Sequence, residues 1–342
     1  MSSETLRAFI HALTKVELHV HLVGSAGVDT VVALARRHPE AGVPTDRAAP
    51  EQFFTFRDFD HFLKVYWAVQ SMLKDRHDIC ALVTGLAAEL ARQNVRYAEV
   101  TVTPYNHILD GMPSDELLDG LTEGRAIAAV EHGVELAWCF DIPGEKGVRA
   151  GRETVVFALR ERPDGLVSFG LGGPEVGVGR AQFEPFFTTA REAGLHSVPH
   201  AGETSGPATI WSAVYDLGAE RIGHGTSCTA DPALMAYLAE HRIPLEVCPT
   251  SNVRTQQVSS IAAHPIRAHA RPRPCGHSQH RRSTHVRRNP GRRIPRCRRG
   301  TRSAHGRTGT TGPQRRQRFV PQRCEQVHAA RRNRLDHPEP SH

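Results

Sequence analysis

The chain has 342 residues and a formal net charge of +7, and its length suits one α/β barrel of about 250 residues with an extension. Residues 261–342 hold 21 Arg, no Lys and three acidic residues, which gives this segment a net charge of about +18. Residues 1–260 therefore carry a net charge of about −11. This acidic body does not have the positive charge of a nucleic-acid-binding domain. No apolar run approaches the roughly 20 residues of a membrane span, and the start of the chain does not resemble a signal peptide. The seven Cys form no CxxC pair. We therefore expect a cytoplasmic protein with reduced thiols.

Short β-branched runs alternate with amphipathic segments, which is the pattern of a parallel sheet with crossover helices. Seven strands are predicted, over residues 15–20, 95–102, 134–140, 165–171, 194–200, 221–224 and 243–248. They predict an α/β fold, a (β/α)8 TIM-type barrel that lacks its eighth strand.

The segment between the first two strands, residues 27–93, is longer than one crossover needs. Its aromatic-rich stretch "FFTFRDFDHFLKVYW" predicts extra helices over one barrel mouth. The alternative is that these aromatic side chains only pack a pair of helices against each other.

The first strand contains "ELHVHLVGS", which places His19 and His21 two residues apart. Side chains at i and i+2 of a strand project to the same side, here into a barrel mouth. Two adjacent imidazoles suit a divalent metal ion, particularly Zn²⁺.

Two later strands also end in histidine. "SVPHAGET" places His200 at a strand end and Glu203 three residues later, and "RIGHG" ends at His224. Barrel enzymes carry their active sites at the carboxyl ends of the strands. Four histidines and a glutamate at that edge predict metal-assisted hydrolysis, in which a metal ion acidifies water.

Five motifs, "HVHLVGS", "LGGPE", "HAGE", "IGHG" and "CPTSN", occur in this order within residues 10–265. Their order and spacing resemble the adenosine deaminase family of the amidohydrolase superfamily. The resemblance implies a metal-dependent hydrolase barrel with one Zn²⁺ per chain, held by His19, His21 and His200. It also implies hydrolysis of a 6-aminopurine, adenosine or a related nucleoside, to the 6-oxo product and ammonia.

The resemblance further implies the roles of single residues. Glu203 would protonate purine N1, and His224 would orient and deprotonate the attacking water. Gly173 would donate its backbone N–H to N3, and His21 and Val23 would lie at the substrate. Glu203 disfavours a related enzyme that cleaves an amide or ester, because this acid resembles the group that protonates the purine.

Val23 departs from the family pattern, since the adenosine enzymes usually carry Asp at this position for the ribose 5′-hydroxyl. Valine cannot accept that hydrogen bond. Either another group supplies the contact, or the substrate is adenine or a nucleoside with a modified 5′ end such as aminodeoxyfutalosine.

The family's last motif, similar to "VTLNTDDPPMFGT", is absent. Its first Asp would complete the zinc site and its second would bind purine N7. Residues 275–287, "CGHSQHRRSTHVR", can be encoded by codons that spell "AVTLNTDDPPMF" when they are read one base later. We therefore predict that the reading frame slips near codons 267–269, so that the fourth ligand Asp is missing.

Two regions follow from this prediction: a barrel domain over residues 1–267 and an Arg-, Pro- and His-rich tail over residues 268–342. High charge and few apolar side chains predict a disordered tail, without a specific nucleic-acid partner. The expected partner is a small-molecule 6-aminopurine, and no oligomeric state is predicted. The chain is expected to be an impaired enzyme or, alternatively, a non-catalytic remnant.

Overall fold

Seven parallel strands form the centre of the protein. The computed structural model describes residues 3–45 and 57–266. The strands are β1 Lys15–His21, β2 Val95–Val102, β3 Glu135–Pro143, β4 Leu166–Gly172, β5 His196–Ala201, β6 Ile222–His224 and β7 Leu245–Glu246. The α-helices are α1 Ser3–Ala12, α2 Val28–Arg37, α3 Phe59–Gln70, α4 Arg76–Arg92, α5 Pro104–Leu109, α6 Ser114–Ile127, α7 Gly147–Glu161, α8 Glu184–Glu192, α9 Pro207–Tyr215, α10 Pro232–His241 and α11 Pro249–Arg254.

The strands pair in chain order from β1 to β7, each parallel to the next. All seven carboxyl ends therefore lie on the same side of the sheet, and the sheet curves into a nearly closed barrel. Within residues 3–45 and 57–266, β1 and β7 are the two edges. This confirms the predicted TIM-type α/β barrel. The predicted loss of the eighth strand concerns residues after 266, which lie outside the described part of the chain.

The strands and helices follow local signals in the sequence. Strand β3 is an apolar run that is buried over all residues but the first, as expected for a parallel strand covered on both faces. Asp58, Asp75 and Asp231 precede α3, α4 and α10, and each side chain accepts hydrogen bonds from backbone N–H groups of the first turn. These caps satisfy donors that the helices leave unpaired.

The main hydrophobic core lies between the sheet and the surrounding helices. Its largest fully buried side chains are aromatic, namely Trp138, Phe140, Phe169, Phe183 and Phe187. Helices α4 and α6 pack so closely that residue 120 has no room for a side chain. A Cβ added at Gly120 would lie 2.6 Å from Ile79 Cβ. A second, smaller cluster surrounds the last strands and α9 and α10.

Side chains connect the two edge strands, which share no backbone ladder among the described residues. His19 Nδ1 on β1 lies 2.9 Å from Glu246 Oε2 on β7. Glu246 Oε1 also accepts a 2.6 Å hydrogen bond from Arg221 Nε, and Arg221 pairs with Glu99 on β2. Glu99 and Glu246 are buried, so this network stabilises the strand ends that carry the histidines.

The structure agrees with the sequence prediction over most of the barrel. Each predicted strand overlaps an observed one, although the predicted 243–248 shortens to Leu245–Glu246. The four described cysteines are free, and no described helix combines the length and apolarity needed to cross a bilayer. The predicted tail over residues 268–342 and the predicted frame slip near codons 267–269 lie outside the described residues.

Candidate active site

Four histidines converge at the carboxyl ends of β1, β5 and β6. The ring centroid of His19 lies 4.6 Å from that of His200 and 4.6 Å from that of His224. The rings of His21 and His200 are 5.0 Å apart. Strand alternation brings His19 and His21 to the same side, as the HxH spacing predicts, and the register of the sheet brings the other two beside them.

Hydrogen bonds on the outer nitrogens orient two of these rings. His200 Nδ1 donates to the Leu171 carbonyl at 2.8 Å, and His19 Nδ1 contacts the Glu246 carboxylate at 2.9 Å. A ring that donates from Nδ1 keeps the lone pair of Nε2 free for a metal ion. Both rings therefore present Nε2 to the centre of the cluster.

The inner nitrogens show that the cluster fits a metal ion. His19 Nε2 is buried and has no hydrogen-bond partner among the described residues. His21 Nε2 and His200 Nε2 lie only 3.0 Å apart, and the ligand atoms of the three residues lie within 4.8 Å of one another. A divalent cation would satisfy all three nitrogens, and three histidines are a known ligand set for catalytic zinc.

The protonation states of the histidines are also suitable. Burial, followed by repulsion from His19, lowers the pKa of His21 to about 3. Burial and the neighbouring histidines lower the pKa of His200 well below its usual value. Neutral imidazoles are the form that binds metal ions. Within residues 3–45 and 57–266, no aspartate belongs to this ligand group.

Glu203 and His224 form a polar pair beside the cluster. Glu203 Oε2 lies 3.4 Å from His224 Nε2. Burial, followed by repulsion from Glu175, raises the pKa of Glu203 to about 8, so this carboxyl carries a proton at neutral pH. His224 has a φ of +62°, a left-handed conformation that is uncommon outside glycine and recurs at active sites.

Glu175, the last residue of "LGGPE", organises the loop that carries Glu203. Its carboxylate accepts hydrogen bonds from the backbone N–H groups of Glu203, Thr204 and Ser205, at 3.2, 3.2 and 2.9 Å. Arg180 lies 3.5 Å from the same carboxylate, and both side chains are almost fully buried. No role was predicted for Glu175 from the sequence, although it is the last residue of the family motif "LGGPE".

Two further residues, for which no role was predicted, contact the histidines and orient them. Glu246 holds His19, and Asn252 of "CPTSN" is fully buried with Nδ2 3.3 Å from His224 Nδ1. A signal existed for both, since Glu246 is the lone acidic residue of the apolar strand "IPLEVC" and Asn252 ends a quoted motif. Only the fold shows which histidine each one contacts.

A cavity of about 310 Å³ opens at this edge of the barrel. His19, His21, His200, Glu203 and His224 line it together with Gly173, so the structure brings these predicted residues around one space. Four aromatic residues of α3 also line the cavity, namely Phe59, Phe62, Tyr66 and Trp67. This supports the prediction of a helical cover over the barrel rather than a helix pair that only packs on itself.

Val23 lies elsewhere. Its side chain is 5% exposed and packs in the main core, and Val23 is not among the residues that line the cavity. Its predicted position at the substrate has no support from the described contacts. The adjacent Gly24 does line the cavity.

Comparison with known proteins gives consistent matches. The family model for adenosine deaminase matches residues 14–273. An aminodeoxyfutalosine deaminase from Streptomyces avermitilis is 54% identical over 268 residues, which cover 78% of this chain and 75% of the relative. An adenine deaminase from Albidiferax ferrireducens is 35% identical and covers 77% of this chain and 76% of the relative.

A solved structure resembles the described fold and contains a metal ion. It is an amidohydrolase from Burkholderia ambifaria with bound Zn, with a TM-score of 0.71 and 29% identity, covering 79% of this chain and 75% of that chain. The similarity therefore includes most of the barrel in each case.

Proposed function

This chain belongs to the adenosine deaminase family, a family of hydrolytic deaminases, and from that premise we propose that its cavity deaminates a 6-aminopurine nucleoside with a modified 5′ end. We infer aminodeoxyfutalosine as the substrate. The observation that carries the proposal is the convergence of His19, His21 and His200 with the Glu203–His224 pair around one cavity.

The proposed cofactor is one Zn²⁺ per chain, held by His19, His21 and His200. Their buried, neutral nitrogens and the unpartnered Nε2 of His19 fit such an ion. When bound, a zinc ion would lower the pKa of a water molecule toward neutrality and so make hydroxide available as the nucleophile.

The chain's own residues would move the protons. Attack of water on purine C6 places electron density on N1, and Glu203 can donate a proton there because its pKa is about 8. His224 would accept the proton of the attacking water. His224 would then pass that proton to the 6-amino group, which leaves C6 as ammonia, and loss of the proton on the C6 hydroxyl gives the 6-oxo product. Gly173, at the cavity wall with a φ of +81°, would donate its N–H to N3.

Two observations support a modified nucleoside, one against adenine and one against adenosine. Identity to the Streptomyces aminodeoxyfutalosine deaminases is 54% and 53%, against 35% for the adenine deaminase. The adenosine enzymes usually carry Asp at the position of Val23, and Val23 packs in the core and does not line the cavity, so this position supplies no acceptor to a free 5′-hydroxyl.

A substrate comparison tests this proposal. The ultraviolet change on conversion of a 6-amino to a 6-oxo purine reports the rate for aminodeoxyfutalosine, adenosine and adenine at high protein concentration. We expect the highest kcat/KM for aminodeoxyfutalosine, by at least about tenfold, because one lost hydrogen bond to a buried group costs about this factor. A higher kcat/KM for adenosine or adenine would contradict the substrate assignment.

The metal site gives a separate prediction. A Cβ at Gly223 would lie 2.7 Å from His19 Cε1 and 3.2 Å from the ring of His200, so Gly223→Ala must displace both imidazoles. We expect zinc content, measured by elemental analysis after dialysis, to fall from about one ion per chain to well below half. The matched control is Gly179→Ala, since a Cβ at Gly179 meets no atom within 4 Å. Unchanged zinc content in Gly223→Ala would contradict the predicted site.

A further inference from the structure

One wall of the cavity has no part in the deamination step described above. Four polar residues line it: Thr103, Asn106, Asp141 and Glu145. Asp141 lies near the carboxyl end of β3, and the other three residues follow the carboxyl ends of β2 and β3. We call this set the acceptor wall, because three of its members present carbonyl or carboxylate oxygens.

Asp141 is the deepest member of the acceptor wall. Its side chain is 2% exposed, and its Oδ1 accepts a hydrogen bond from Thr103 Oγ1 at 2.6 Å. A Cβ at Gly172 would collide with Asp141 Oδ2 and would also lie 3.9 Å from His21 Cε1. The second oxygen of Asp141 is therefore on the side of the histidine cluster.

Glu145 extends the wall toward solvent. Its side chain is exposed at the rim, and a Cβ at Gly173 would collide with Glu145 Oε2. Gly173 is the residue whose backbone N–H we assign to purine N3. Asp141 and Glu145 thus flank the Gly172–Gly173 segment, where the N3 and N9 side of a bound purine would lie.

Asn106 provides an independent observation. It is 9% exposed and lines the same cavity, and its Oδ1 is buried without a hydrogen-bond partner among the described residues. A buried carbonyl oxygen without a partner is unfavourable unless a ligand or water donates to it. The acceptor wall therefore holds a buried oxygen that no described group donates to, and a ligand that fits the wall must supply a donor.

We infer that the acceptor wall binds the sugar hydroxyls of the substrate, so that the site selects a nucleoside over a free purine base. This inference rests on the proposed function. The two hydroxyl groups of a ribose diol can donate to two of the three acceptors Asp141, Glu145 and Asn106, and the sugar on N9 projects from the purine edge that Asp141 and Glu145 flank. Aspartate or glutamate carboxylates beside a purine pocket suit a ribose diol for this reason.

Binding of 6-oxo products tests the inference without turnover. Inosine, 2′-deoxyinosine, 3′-deoxyinosine and hypoxanthine are titrated calorimetrically into the full 342-residue chain and into the variants Asp141→Asn and Glu145→Gln. The control variant is Glu135→Gln, an exposed residue at the opposite end of β3. Thermal unfolding of each variant checks that the fold is retained.

We expect inosine to bind at least about tenfold more tightly than hypoxanthine, with weaker binding of both deoxy compounds, because a buried acceptor that loses its hydrogen-bond donor costs about this factor. At least one of the two wall variants should lose most of this preference with hypoxanthine binding unchanged, and the control should keep it. Equal binding of inosine and hypoxanthine would overturn the inference alone. If no purine binds the folded chain, both the inference and the proposed function are wrong.

Discussion

Deleting one base near codons 267–269 is expected to raise the deamination rate by at least about 10³-fold, by analogy with the restoration of a missing catalytic group. The described residues supply three histidines and no aspartate to the ligand group. The family resemblance implies that an Asp of the last motif completes this site and orients the water. The shifted reading of residues 275–287 would restore "TDD" at that place in the chain.

The measurement compares kcat of the 342-residue chain with that of the frame-restored chain on the same nucleoside. The restored chain should reach an ordinary rate, between about 1 and 1000 per second. Changing the first aspartate of the restored "TDD" to Ala should return the rate to that of the original chain. An ordinary rate in the 342-residue chain itself would contradict the prediction, as would a gene whose shifted bases encode no aspartate pair.

The barrel itself was predictable because its signals are local. Each strand is a short β-branched run between helical segments, and a parallel sheet requires such alternation. The start of β2 at Val95 and its end at Val102 match the prediction. The short strand β7 was less predictable, because two paired residues leave little pattern in the sequence, whereas β6 was predicted to within one residue.

The histidines of the site were predictable for a similar reason. HxH on a strand fixes two rings on one side, and the strand ends of a barrel converge. Their supports were not predictable in the same way. Glu246 is 227 residues from His19, and Glu175 is 28 residues from Glu203. Contacts of this kind depend on the register between strands, which no local pattern specifies.

The acceptor wall shows the same limit. Thr103 and Asp141 are 38 residues apart and meet only because β2 and β3 end side by side. In the sequence, Asp141 is a single acidic residue directly after the predicted strand 134–140. Its burial and its place in the cavity wall make it a candidate for binding.

The second large effect is expected at Glu203. Glu203→Gln in the frame-restored chain should lower kcat by about 10² to 10⁴-fold, the usual contribution of a general acid or base. Burial keeps the Glu203 carboxyl protonated at neutral pH, since its pKa is about 8. Glutamine has a similar shape and an N–H donor, but it cannot transfer a proton to N1.

The zinc content of Glu203→Gln should not change, because Glu203 is not part of the ligand group. Zinc content therefore distinguishes a catalytic role of Glu203 from damage to the metal site, because damage to the metal site would lower both kcat and zinc content. Glu220→Gln is the matched control, since Glu220 pairs with His196 at the opposite, amino-terminal end of β5. A Glu203→Gln variant with an unchanged kcat would show that another group protonates the purine, and the assignment of Glu203 as the acid would be wrong.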